Sequence, residues 1–198
     1  MHAEDNIDFE AFLQELQTES DRGLALISAA LIDEKLLETL LSFTCEDEVK
    51  ERLLKSPNAP LGTFSARSDA CFALGLIDEF EFREISLLRK VRNEFAHAKH
   101  GMSFQNDRVK GLCSAFKSGL PPGAEPDFAD ARARFINATI TLVTRLYYRA
   151  DWVSPERRQT KSWVPEGTSQ WRSVNDELPP EGVPVLGFVK KKTVADKR

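Results

Sequence analysis

The segment from Asp78 to His100, DEFEFREISLLRKVRNEFAHAKH, constrains the fold most strongly, because it carries the signals for the start, the buried side and the end of one helix. Asp78 is a typical N-cap residue, acidic residues follow it in the first turn, and Lys99 and His100 place positive charge at the other end. At about 100° per residue, one side of this helix collects the apolar residues Phe80, Leu87, Leu88, Val91, Phe95 and Ala98. We therefore predict a helix that is buried along most of its length.

Arg92 departs from this apolar pattern. On an ideal helix its side chain projects between Leu88 and Ile85, inside the apolar arc. His97 lies about 140° further round, near Asn93. An unpaired charge in an apolar environment is strongly destabilising, so the sequence predicts a partner for Arg92.

A second segment, SDRGLALISAALIDEKLLETLLSF, supplies the candidate partner. It is apolar almost all round from Leu24 to Phe43, which is typical of the central helix of a core. Glu34 lies within an apolar stripe of this helix, so we predict a structural ion pair between Glu34 and Arg92, with Asp33 as the second candidate partner. The alternative is that either side chain extends to the surface along an edge of the domain.

Shorter helices are predicted around these two. Their expected ranges are Asp8 to about Glu19, Glu46 to Lys55, Thr63 or Ser65 to Leu74, Asn106 through Phe116, and Asp127 to near Trp152. Gly75 stands where a C′ glycine ends a helix. The predicted fold class is all-α, with residues 1–152 forming a single multi-helix, bundle-like domain.

From Val153 the composition changes, and we predict a separate, partly disordered extension over residues 153–198. It is rich in proline, alternates apolar residues at Val183, Val185 and Phe188 in the pattern of one or two short strands, and ends in the basic sequence KKKTVADKR. The stretch QWRSVNDELPPEGVPVLGFV resembles the start of a small uncharacterised domain of phage and bacterial proteins, and here it stops soon after its first strand. The extension is therefore interpreted as a truncated module.

Charge and cysteine usage limit the function classes. The chain has 27 basic and 31 acidic residues, a net charge of −4, which argues against nucleic-acid binding driven by net charge. The three cysteines show no metal-binding spacing and are expected to be reduced, so we predict no metal and no cofactor. No apolar run reaches the roughly 18 residues of a membrane span, and we expect a cytoplasmic protein with no membrane partner.

Two stretches together, FSARSDACFALGLIDEFEFREISLLRKVRNEFAH and ALIDEKLLETLL, resemble the mannitol operon repressor family over roughly residues 20 to 150. The resemblance implies an all-helical domain in the transcriptional control of sugar-alcohol uptake, which acts through a protein partner or as a homodimer. We expect no direct DNA binding, because the helix after Gly75 is predicted to be buried and begins with acidic residues. On this reading the protein is not an enzyme.

The spacing Arg92-x4-His97 also resembles the ribonuclease motif of HEPN domains. That resemblance implies, as an alternative, a metal-independent endoribonuclease of a toxin or defence system, with RNA as its substrate. Arg92 would hold a phosphate, His97 would be the general acid or base, and Asn93 would be the polar residue after the arginine. The competing interpretation is structural, with His97 simply a histidine at the end of a helix.

Overall fold

Helices account for the regular structure in the part of the chain that the computed structural model describes, which is residues 11–12, 14–118, 130–161 and 163. In chain order they are α1 (residues 11–12 and 14–18), α2 (Asp21–Phe43), α3 (Glu48–Leu54), α4 (Phe64–Ala73), α5 (Glu79–His97), α6 (Asp107–Ser114), α7 (Ala131–Leu146), α8 (Arg149–Val153) and a 3-10 turn (Ser154–Glu156). No strand occurs in these ranges, and the predicted all-α class is confirmed. The predicted strands of the extension, the Asp8 cap and the Asp127 helix start lie outside the described residues.

The chain divides into a compact unit from Met1 to Gln159 and a second unit from Thr160 to Arg198. Residues 153–159, which we assigned to the extension, therefore belong to the first unit. They are held at the end of α2, where the backbone N–H of Arg158 donates to the carbonyl of Phe43 at 2.8 Å and Nε of Arg157 donates to the carbonyl of Ser42 at 3.0 Å. These bonds satisfy carbonyl groups that a helix end leaves without intrahelical partners.

Local signals fix where the long helices begin and end. The Asp78 side chain accepts from the backbone N–H of Glu81 at 2.8 Å, and the Glu81 carboxylate accepts from the backbone N–H of Asp78 at 2.9 Å, so a capping box opens α5 as its sequence predicts. Ser20 is the N-cap of α2, where its side-chain oxygen accepts from the backbone N–H of Gly23 at 3.1 Å. Gly75 has a φ of 71°, the left-handed conformation expected of a C′ glycine after α4.

The core lies around α2, which contacts α3, α4, α5, α7 and α8. Its predicted role as the central helix is therefore confirmed. The predicted apolar side of α5 is also buried, at Ile85, Leu87, Leu88, Val91 and Phe95. Phe104 lies between the rings of Phe95 and Phe135, with centroid distances of 4.9 and 5.2 Å, and so joins α5 to α7.

A buried carboxylate, Glu81, ties the start of α5 to the last helices of the unit. Its side chain is fully buried and accepts from Nε of Arg145 at 3.0 Å and from Nη2 of Arg149 at 2.7 Å. The pKa of Arg145 is raised, because the lowering by burial is outweighed by the hydrogen bond and charge of Glu81 and by Asp78. With two cations and the N-terminal amide of its own helix, the Glu81 carboxylate is fully compensated.

Glu84, one turn further along α5, is a second fully buried carboxylate. It accepts from the backbone N–H groups of Lys117 and Ser118 at 3.0 and 3.1 Å. It thereby fixes the segment that follows α6, where no helix supplies backbone partners.

Replacing Glu81 with Gln should lower the free energy of unfolding by about 3 kcal/mol, because two arginines lose a buried counter-charge. Replacing the exposed Glu79 with Gln in the same helical turn is the matched control and should cost about 0.5 kcal/mol or less. Urea denaturation of both variants measures the difference. Equal losses in the two variants would contradict the role given to Glu81.

The buried cysteines yield a second prediction. Desolvation raises the pKa of the Cys71 and Cys113 thiols to about 12, whereas Cys45 is only half-buried. In the folded chain at pH 8, iodoacetamide should therefore alkylate Cys45 well before the other two, as read by peptide mass spectrometry. In urea the three cysteines should be alkylated at similar rates. Early alkylation of Cys71 in the folded chain would contradict the packing described.

Candidate functional site

A recess of about 470 Å³ lies between α2, the start of α4 and α5. We call it the α2–α4–α5 recess. Its lining comes from three stretches of the chain, namely Leu26, Ala29, Ala30 and Asp33 of α2, residues 62–65 at the start of α4, and Arg89, Arg92 and Asn93 of α5. The volume falls within the range of small-molecule sites in proteins.

Two arginines of α5 line this recess and contact neutral groups there. Nη1 of Arg89 donates to Oγ of Ser65 at 2.6 Å, and Nη1 of Arg92 donates to Oδ1 of Asn93 at 3.1 Å. Both arginine side chains are half-buried. Within the described part of the chain, neither guanidinium forms an ion pair with a carboxylate.

The acidic residue in the recess, Asp33, is already neutralised. Its Oδ2 accepts from Nη1 of Arg67 at 2.7 Å. Arg67 also donates to the backbone carbonyls of Leu61 and Leu54, at 3.0 and 3.2 Å. It thus holds the connection between α3 and α4 against α2.

The predicted ion pair between Glu34 and Arg92 is not formed in the described structure, and Asp33 pairs with Arg67 instead of with Arg92. Glu34 is exposed on α2. Arg92 borders an open recess and is not covered by a packed helix, so its charge keeps access to water and needs no buried counter-ion. The alternative considered from the sequence, an arginine at the edge of the domain, describes this geometry better.

The residues of the HEPN-type motif do not gather in one site. Arg92 and Asn93 lie in the recess, whereas His97 is exposed at the last position of α5 and is not among the residues that line it. The recess therefore brings together Arg92, Asn93 and Asp33 of the predicted site residues. The recess also contains Arg89 of α5 and Ser65 of α4, whose side chains are hydrogen-bonded to each other. No local sequence pattern predicts this contact.

A second surface is apolar and lies where α4 leads into α5. The rings of Phe72 and Phe82 stack at a centroid distance of 4.4 Å and an angle of 13°. Phe72 and the neighbouring Leu74 are 41% and 48% exposed. We call Phe72, Leu74 and Phe82 the α4–α5 apolar patch. The apolar run FALGL is its signal in the sequence; within this run Leu76 is buried, whereas Phe72 and Leu74 are exposed.

These features define an all-helical protein with a ligand-sized recess and an exposed apolar patch. The helix that follows the Gly75 turn, α5, has buried residues along its length.

The chain belongs to the mannitol repressor family, whose sequence model matches residues 10–126. The resemblance inferred from the sequence is thereby confirmed. Among solved structures, the chain is similar to the X-ray structure of the MtlR–HPr complex from Escherichia coli, with a TM-score of 0.55 and 21% identity. The similarity covers 69% of this chain and 96% of the other, and it shows a shared fold.

No curated protein matches the chain. None of the described helices combines the length and hydrophobicity that crossing a membrane requires. Within the described ranges, no group of three or more His, Cys, Asp or Glu side chains is arranged to hold a metal ion.

Replacing Asp33 with Asn should lower the free energy of unfolding by about 1.5 kcal/mol, because Arg67 loses a charged hydrogen-bond partner. Replacing the adjacent Glu34 with Gln should change it by less than about 0.5 kcal/mol, because that carboxylate is exposed. Chemical denaturation of the two variants tests the assignment. A larger loss of unfolding free energy in the Glu34 variant would contradict this assignment and support the ion pair between Glu34 and Arg92 that the sequence predicts.

Proposed function

We propose that this chain is a cytoplasmic transcriptional regulator of the mannitol repressor type, which acts by binding a protein partner and not by reading DNA. The observation that carries the proposal is the α4–α5 apolar patch of Phe72, Leu74 and Phe82. Family membership and the complex formed by the Escherichia coli relative support it.

The patch has the properties of a protein-binding centre. Aromatic side chains are enriched among the residues that contribute most to protein–protein affinity. The stacking of Phe72 on Phe82 holds both rings in place before a partner arrives, so less side-chain entropy is lost on binding. Leu74 extends the exposed apolar surface beside them.

The rim of the patch indicates the charge of the partner. Asp69 and Glu79 are exposed near Phe72 and Leu74 in the sequence, whereas Asp78 is engaged by Arg145. Exposed carboxylates around an apolar centre favour a partner whose own apolar contact is surrounded by basic side chains. The relative of known structure is in complex with HPr, and we propose that an HPr-type protein binds here.

Two features argue against direct DNA reading. The first turn of α5 carries the exposed carboxylate of Glu79, and this negative charge disfavours contact with phosphates. The chain as a whole carries a net charge of −4. The homodimer implied by the family resemblance stays a prediction, and we do not propose the ribonuclease alternative, because the geometry of His97 does not favour it.

The substitutions Phe72→Ser and Leu74→Ser should each weaken binding to purified HPr by about tenfold or more, because each removes apolar contact area at the centre of the proposed interface. Val49→Ser and Leu53→Ser are matched controls, since these residues of α3 are 44% and 37% exposed. Isothermal titration calorimetry measures the affinities, and thermal unfolding verifies that each variant is folded.

Two outcomes would contradict the proposal. One is an unchanged affinity in the patch variants, or an equal loss in the α3 variants. The other is sequence-specific binding of duplex DNA that persists after removal of the basic segment from Lys190 to Arg198, measured by gel shift at increasing salt.

A further inference from the structure

We propose that the α2–α4–α5 recess binds a small phosphomonoester, with the phosphoryl group held by Arg89 and Arg92. The inference is independent of the protein-binding patch, which is formed by other residues.

The first argument is the state of the two cations. Arg89 and Arg92 are three residues apart on α5, so they project from neighbouring positions of one helical face. Both are half-buried, and their hydrogen bonds go to the hydroxyl of Ser65 and the side-chain oxygen of Asn93, neither of which carries charge. Among the other half-buried arginines of the described chain, Arg67, Arg132 and Arg149 each pair with a carboxylate, whereas Arg134 forms no ion pair there. Two cations that line the recess therefore have no carboxylate partner within the described part of the chain, and both can bind an anion that enters from solvent.

The neighbouring groups suit an anion. The carboxylate of Asp33 is bound by Arg67 and does not neutralise the two α5 cations. Ser65 and Asn93 add a hydroxyl and an amide that can donate to phosphate oxygens once the arginines turn to the ligand. The recess also includes the start of α4, where the partial positive charge of a helix N-terminus adds to that of the arginines.

The volume and the charge select the class of ligand. A recess of about 470 Å³ accommodates a small organic molecule together with its anionic group. A phosphomonoester carries a charge between about −1.5 and −2 at pH 7, which matches two guanidinium groups better than a single carboxylate does. Apolar contacts from Leu26, Ala29 and Phe64 line the remaining surface.

Titration calorimetry at low ionic strength tests the proposal with inorganic phosphate and glycerol 3-phosphate as probes, and with glycerol and acetate as controls. The full chain should bind both phosphates, bind acetate more weakly and not bind glycerol. Arg89→Gln and Arg92→Gln should each weaken binding of glycerol 3-phosphate by about tenfold, which is the typical effect of losing one charged hydrogen-bonding group. Lys90→Gln, which removes the same charge from an exposed position of the same helix, should leave the affinity within about twofold.

Further measurements keep the test decisive if an arginine variant does not fold. Arg92→Lys preserves the charge but not the two-pronged geometry, and should bind with an affinity between those of the native chain and Arg92→Gln. In the native chain, addition of phosphate should shift the amide resonances of Phe64, Ser65 and Asn93 in nitrogen–proton correlation spectra. Phe72→Ser should bind glycerol 3-phosphate as the native chain does, so a failure of partner binding is distinguished from a failure of this site.

The proposal is overturned if the native chain binds neither phosphate. It is also overturned if Lys90→Gln reduces binding as much as the arginine variants do, because the attraction would then come from overall charge. Shifts confined to residues outside the recess would overturn it as well.

Discussion

The burial of one carboxylate, that of Glu81, is the interaction on which the arrangement of the helices depends. A charge with no exposure to solvent is tolerated only where every lone pair has a partner, and here the partners come from the start of its own helix and from two arginines beyond α6. The same atoms therefore begin α5 and position α7 and α8. Further along α5, Arg89, Arg92 and Asn93 form one wall of the recess.

Helix α4 connects the two surfaces described above. Its first residues line the recess, and Phe72, near its last residue, belongs to the apolar patch. Arg67, in the middle, is bonded to α2 and to the preceding loop, so the helix is held on both sides. These polar bonds add to the packing of α4, where Cys71 is buried in the core and Phe64 and Ala70 pack against it.

The sequence predicted the features that depend on neighbouring residues. The Asp78 cap, the buried side of α5, the Gly75 turn and the central role of α2 all follow from local spacing and composition. Features that depend on distant residues were missed. Glu81 looked like an ordinary first-turn acid, because its arginines lie 64 and 68 residues away in the chain. The pairing of Arg92 with Glu34 failed for the related reason that a helical wheel gives the direction of a side chain but not what stands opposite it.

The distance in sequence between these partners also bears on the order in which the chain can fold. A ribosome releases α2 and α5 long before it has made Arg149, and the bonds from Arg157 and Arg158 to the end of α2 form across about 115 residues. During synthesis the Glu81 carboxylate therefore has its cap but not its counter-charges, and the end of α2 lacks its late partners. The segment matched by the family, residues 10–126, ends before any of these arginines, so the complete unit assembles only when the residues up to about 159 are present.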